Sequence, residues 1–261
     1  MDLSIKECAT FLKLPYIKRN YESIIKEALI NEPNYEEFLK GVLNLETSER
    51  NDNSIQRKIK EAHFPYKFTL SDFKRDHLSQ EIKSKIKVLE TLDFINNGEN
   101  IILIGNPGTG KTALSLALGV AACMENKRVL FISVPQLIIE INEAMSKSQY
   151  LRYQKRFERF DLVILDELGY SSFSKDSGEI LFNLLSSRNE AGSIIITSNL
   201  TMDKWDEVFK DKVLTGAIVD RLANRSHLID MSGESYRIRQ TKEWLNQKWD
   251  TLKLKAPILK Y

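Results

Sequence analysis

The sequence predicts an α/β fold, a parallel five-stranded sheet between helices, preceded by a small all-α N-terminal domain. Three observations carry that expectation. Five short apolar runs rich in β-branched residues lie between Asn100 and Met231, as continuous as strands buried on both faces should be. Helix-length stretches separate them, which suits crossovers between parallel strands. Ahead of residue 62 the apolar residues recur at helical spacing instead.

Pro15 suits a first helical turn, and Ile17, Tyr21, Ile24, Ile25, Ala28 and Leu29 follow along one face. Asn34 with Glu37 three residues later has the form of a capping box, opening a second helix with Phe38, Leu39, Val42 and Leu43 on one side. From Glu46 to Glu61 the chain turns polar, buries little, and reads as an exposed helix or linker. A domain boundary near its end gives an N-terminal domain over 1–62. The basic cluster Arg57, Lys58 and Lys60, with Lys67 beyond, suits a solvated face or phosphate contacts about equally. Pro65 stops the helix, and Phe64, Tyr66, Phe68 and Phe73 form an extended aromatic segment, core material by type. Ser79 to Ile95 reads as a helix through Ile82, Ile86, Leu89 and Phe94, ended by Asn97-Gly98. Residues 63–98 thus connect to a nucleotide domain over 99–261.

That domain opens on Asn100 to Thr112, a strand (IILI) running into GNPGTGKT. Gly105, Gly108 and Gly110 let the backbone turn so that consecutive amides face an anion, with Asn106, Pro107 and Thr109 completing the loop. Lys111 reaches the β- and γ-phosphates of a nucleotide, and Thr112 offers a hydroxyl to Mg2+. The flanking context, a β-type run before and an apolar helix after, separates this from a chance match.

The next strands are Arg128 to Val134, Asp161 to Leu165, Ser193 to Ser198 and a weaker Ser226 to Met231. The run DLVILDELGY delivers Asp166 and Glu167 at a strand's carboxyl end. An isolated acid pair is a surface feature; behind a phosphate loop it has two jobs, Asp166 for magnesium and Glu167 for the attacking water. Glu167 favours hydrolysis over transfer to a bound substrate. Asn199, ending SIIITSN, is an ordinary turn residue or a hydrogen-bond partner of that water or the γ-phosphate. Arg221, in Asp220-Arg221-Leu222, is a surface ion pair or an arginine finger for a neighbouring subunit.

Bulk properties bound the rest. With 38 basic and 36 acidic side chains the formal charge is +2, so DNA contact needs local patches, not a global field. Two cysteines, Cys8 and Cys123, supply neither a disulfide framework nor a thiolate metal cluster. The longest apolar stretch, Ala113 to Met124, is too short for a bilayer, and the first residues lack a signal-type apolar core, so a soluble, cytoplasmic chain without a membrane partner is expected.

GNPGTGKT, LDELGY, IITSN and DRL in this order resemble the AAA+ ATPases, and among them the branch of DnaC-type helicase loaders and IstB-type transposition helpers. LKLPYI, YEEFL, LDELGY and GESYR look most like the IstB type. The resemblance covers nearly the whole chain. It implies an ATP- and Mg2+-dependent homo-oligomer that binds duplex DNA, mainly by its backbone, and serves a transposase; a replicative helicase is the alternative partner. It also implies that Gly105 to Thr112 hold nucleotide, Asp166 and Glu167 serve magnesium and water, Asn199 is the sensor and Arg221 the finger. Arg237, in the SYR motif, is a candidate second phosphate-sensing arginine. Asn106 and Ala113 depart from the family's more frequent proline and histidine without removing a phosphate contact. The chain after the last strand is too short for the full helical lid of many AAA+ proteins, so closure relies on neighbouring subunits. Gln136 to Phe160 exceeds one crossover helix and carries Lys147, Arg152, Lys155, Arg156 and Arg159. In the oligomer these line DNA with the residues near Arg57, or form a solvated face. Lys253, Lys255 and Lys260 make a basic tail.

Overall fold

The computed structural model describes residues 3–170, 174–188 and 192–255. The chain forms two compact units, Met1–Arg57 and Lys58–Tyr261.

The first unit is helical, with α1 (Ile5–Phe11), α2 (Pro15–Asn31) and most of α3 (Tyr35–Glu61). Helix α1 lies outside the predicted helices, yet its start is encoded: Ser4 Oγ accepts the Glu7 amide while the Glu7 carboxylate accepts the Ser4 amide. Asn34 and Glu37 exchange the same pair of bonds ahead of α3, as their spacing predicts. Helix α2 has Pro15 in its first turn but no side-chain cap from its own Leu14. Helix α3 supplies one, because the Glu46 carboxylate accepts the amides of Tyr16 and Ile17 at 3.0 and 3.1 Å and pairs with Arg50. A carboxylate there also meets the positive end of the helix dipole. Glu46 is therefore buried, although it opens the stretch read as solvated, and that stretch continues α3 to Glu61 rather than forming a linker.

The second unit runs α4 (Gln80–Leu89), α5 (Asp93–Asn96), β1 (Asn100–Ile104), α6 (Lys111–Met124), β2 (Val129–Ser133), α7 (Val134–Ser146) and α8 (Tyr150–Phe157). It continues with β3 (Leu162–Leu168), α9 (Lys175–Ser187), β4 (Ser193–Ser198), α10 (Asp206–Phe209), α11 (Lys212–Ala223), β5 (Ser226–Asp230) and α12 (Tyr236–Lys255). The strands are all parallel, in the order β2-β3-β4-β1-β5. The five strands stand where the apolar runs predict them. Residues Ser79 to Ile95 form two helices, not one. A continued helix would carry Asp93, four residues after Leu89, onto the buried face. Instead Leu92 turns into the left-handed region at φ 61° and α5 restarts on Asp93, whose carboxylate accepts the Thr91 hydroxyl.

Alternation along each strand builds a core on both sheet faces. Ile102 and Ile104 of β1 join Val163, Leu165, Ile194 and Ile196 under α7, α9 and α11. Ile101 and Leu103 join Leu162, Ile164 and Ile195 under α6 and residues from Ala62 to Ile95. Each such side chain is worth roughly 1.5–3 kcal/mol relative to exposure. Helix α6 is squeezed between sheet and aromatic segment: a Cβ on Gly119 would stand 2.7 Å from Ile164 and 2.9 Å from Phe64. Among the described residues no helix is long and apolar enough to cross a membrane.

The strand order fixes the site. The crossover β1–α6–β2 passes over β4 and β3, so β4 lies between the loop strand and the acid strand, and all three end at one edge.

Candidate active site

At the carboxyl edge, β1 runs into the glycine loop. Gly110, at φ 99°, is the cap of α6, and having no side chain it leaves the first-turn amides to an anion. The loop is braced from within by Thr109 Oγ1 donating to Asn106 O at 2.9 Å, and from α12 by the Tyr236 amide donating to Gly108 O at 2.9 Å. Gly108 takes φ 81°, which favours glycine, and a Cβ there would come within 2.3 Å of Ser235 Oγ, just ahead of α12. The Asn106 side chain, at the position where it departs from the family's proline, donates to Gly233 O. Lys111 is buried, with Nζ on the carbonyls of Gly105 and Asn106 at 2.6 and 2.8 Å. Burial pushes its pKa down, Asp166 pulls it up, and Arg237 adds to the lowering.

The two acids part company at a β-bulge. Leu165 pairs with Ile196 and Leu168 with Ser198, so Asp166 and Glu167 together stand opposite Thr197. Glu167 takes φ 65°, a left-handed conformation costing a non-glycine residue of order 1–3 kcal/mol. Asp166 is buried and Glu167 exposed in consequence. Asp166 accepts the Thr112 hydroxyl at 3.0 Å on Oδ1 and 3.2 Å on Oδ2, and the Thr197 hydroxyl at 2.5 Å on Oδ1. Thr197 also accepts the Glu167 amide at 3.0 Å. Thr112 and Asp166 thus present hard oxygen donors at one point, the donor set a magnesium ion favours, with its other ligands left to water and phosphate. Among the described residues no group of three or more His, Cys, Asp or Glu side chains forms a metal cage.

Asn199 lies beyond the end of β4, and its Oδ1 is buried with no partner among the described residues. Gly169 makes room for it, since a Cβ there would stand 2.7 Å from that oxygen. Arg237, on α12, passes close to Gly108 and is exposed. His77, which sequence reasoning did not single out, stacks on Tyr236 with ring centroids 5.3 Å apart. Its ring nitrogens are buried beside the Thr109 backbone, and burial lowers its pKa against the opposing pull of that backbone.

Arg221 is not brought to this edge. It lies at the amino ends of the strands, where α11 meets β1 through Asn100 Nδ2 donating to Leu222 O. Its guanidinium donates to Ser186 O at 2.8 Å and Leu185 O at 3.4 Å. It lines a cavity of about 700 Å3 with Arg188, Arg225, Asp220, Asn100 and Asn224. Arg188, also absent from the sequence reading, is 3% exposed and donates to Phe157 O at 2.7 Å and Phe160 O at 2.8 Å, tying the end of α8 to the end of α9. Only a signal for backbone carbonyls thirty residues away would have found it, and a sequence carries none.

The expected insertion is α7 followed by α8. Arg152, Lys155 and Arg156 are exposed on α8, and exposed Lys147, after α7, pairs with Glu143 at 3.3 Å. Lys253 and Lys255 fall in α12, and Lys260 lies outside the described residues.

Residues 8–244 match the family described as IstB-like ATP binding protein. An ATP-binding protein of insertion sequence IS21 from Pseudomonas aeruginosa is 35% identical over 232 residues, 89% of this chain and 88% of that one. One from insertion sequence IS5376 of Geobacillus stearothermophilus is 32% identical over 238 residues, 91% and 95% of the two chains. Among solved structures, the DnaC helicase loader superposes with a TM-score of 0.53 at 20% identity, over 62% of this chain and 95% of that one. AMPPCP-bound DnaA from Aquifex aeolicus superposes with 0.55 at 22% identity, over 70% and 56%. At such identities the two structures share the AAA+ fold, and that alone.

Proposed function

The chain belongs to the IstB-like ATP-binding protein family, and from that premise we propose that it is an ATPase that assembles on duplex DNA and assists a transposase in selecting its target. The observation that carries the reading is the Thr112 hydroxyl on Asp166: loop and acid strand converge at one point, beside a water-facing Glu167.

In this reading the loop amides and Lys111 bind the phosphates of ATP, Lys111 exchanging two carbonyl contacts for phosphate oxygens. Thr112 and Asp166 would hold Mg2+, which when bound would neutralise phosphate charge. Glu167 takes a proton from water as its oxygen bonds to the γ-phosphorus, while the bond from that phosphorus to the β–γ bridging oxygen breaks and ADP leaves. The proton then passes from Glu167 to the phosphate released. Asn199, whose buried oxygen has no partner among the described residues, orients that water. Arg221 lies at the opposite edge from its own loop, which suits a finger for the next subunit.

DNA is assigned to Arg152, Lys155 and Arg156 of α8, with Lys147, as backbone contacts. The N-terminal helical domain, 1–62, is assigned to DNA or partner binding, and 63–98 with 99–261 to the ATPase. The named relatives belong to insertion sequences, which favours a transposase over a helicase as partner. The test is ATP turnover with and without duplex DNA, with mass in solution read alongside. Turnover and assembly that rise together on DNA support the reading; a monomer indifferent to DNA sinks it. Lys155→Ala with Arg156→Ala should lower DNA affinity and flatten its salt dependence by about two counterions.

A further inference from the structure

We propose that Thr197 is the positioning residue that sets both acids of the site, an inference that rests on the ATPase reading above. It lies within the IITSN run, where the sequence reading gave a role to Asn199 alone. Its side chain is almost wholly buried near the carboxyl end of β4, where a valine would read equally well.

The geometry gives its hydroxyl two tasks at once. On β3 an extra residue is accommodated opposite Thr197, so the strand must bulge there. The hydroxyl stands in that bulge, accepting the Glu167 amide at 3.0 Å and donating to Asp166 Oδ1 at 2.5 Å. The first bond satisfies the amide that the bulge removes from the ladder and holds Glu167 in its left-handed conformation, its side chain toward water. The second fixes the Asp166 carboxylate through Oδ1, which Thr112 also approaches at 3.0 Å, and leaves Oδ2 to the cation. Ser198 completes the clamp, its hydroxyl donating to Leu168 O at 2.8 Å on the far side of the bulge. One β4 hydroxyl thus couples where the metal-binding acid sits to where the water-activating acid points, without touching nucleotide.

The test compares Thr197→Val, which keeps the shape and removes donor and acceptor, with Thr197→Ser, which keeps both and removes a methyl. Two quantities are read on the full chain: the Mg2+ concentration that half-saturates binding of a non-hydrolysable ATP analogue, and kcat and KM for ATP. Thr197→Val should raise the Mg2+ requirement about 10-fold and lower kcat about 10–100-fold, the usual size of a positioning effect, with KM at saturating Mg2+ within about threefold. Thr197→Ser should stay within about threefold of the parent on every readout. In the Asp166→Asn background, Thr197→Val should add nothing to the Mg2+ requirement. A valine variant that matches the parent overturns the proposal, and so does a serine variant as impaired as valine, which would assign the role to packing. If the valine variant fails to fold, Thr197→Ala takes its place under the same criteria. A parent chain that binds the analogue and never turns over ATP defeats the ATPase reading, while the Mg2+ titration still decides the role of Thr197.

Discussion

The two edges of the sheet handle charge in opposite ways. At the carboxyl edge, one chain supplies the loop amides, Lys111, and Asp166 held by two hydroxyls, Thr112 from the first turn of α6 and Thr197 from β4. At the amino edge, Arg188 and Arg221 donate to backbone carbonyls of the chain's own helices beside an open cavity. The first edge is built to meet an anion from solution, and the second ties its guanidinium groups to the chain's own backbone.

The largest effects should separate binding from chemistry within the carboxyl edge. Lys111→Ala should abolish measurable nucleotide binding in an equilibrium assay, because Lys111 is the cation seated within the loop itself. Glu167→Gln should leave that binding within about threefold and lower kcat by about 10³, the middle of the range for a positioned general base. Equal loss of binding in both variants would mean that the edge does not divide its labour in this way.

Arg221→Ala tests whether the amino edge works for another subunit. Turnover should fall about 10³-fold, at the lower end for a finger supplied in trans, with nucleotide affinity unchanged. Mixing it with Glu167→Gln should recover part of the activity, since an interface that joins an intact Arg221 to an intact Glu167 then exists. No recovery on mixing would place Arg221 in a structural role at the end of α9.

How much of this the sequence discloses follows the same division. Lys111, Thr112, Asp166 and the five strands are legible because phosphate and magnesium chemistry demands fixed residue types at fixed spacing, and buried parallel strands demand continuous apolar runs. Thr197, Arg188 and Glu46 are not, since each acts on backbone or side chains about thirty positions away. The break at Leu92 is hidden for a different reason: the apolar spacing continues through it, and only the position of Asp93 argues against one helix.

Arg188→Met sharpens the comparison through stability. Its guanidinium satisfies carbonyls of Phe157 and Phe160, and burial pushes its pKa down to about 10, so it remains charged at neutral pH. Methionine keeps the stem and strands those acceptors, which should cost about 2 kcal/mol in denaturant unfolding. Arg188→Lys should recover little, because one ammonium cannot reproduce the fork.

The smallest effect lies back at the carboxyl edge, in how stability responds to pH. Burial holds His77 below the ordinary value of 6.5, Arg239 and Lys83 add to the lowering, and Thr109 and Asp76 oppose it. The neutral ring is therefore the folded form. Above pH 6.5 the imidazole is neutral in both states and contributes no pH dependence; below it the unfolded chain takes a proton that the folded chain refuses. Stability should fall as pH drops from 6.5 toward the lowered value, by at most ~1.4 kcal/mol per pH unit from this group. Replacing the imidazole by the ring of His77→Phe keeps the stack on Tyr236 and should flatten that part of the profile. Arg188 cannot contribute to the slope there, since it stays protonated until far higher pH. A profile left unchanged in the Phe variant would show that the loop edge is no more pH-sensitive than the arginine edge, and would remove His77 from the comparison.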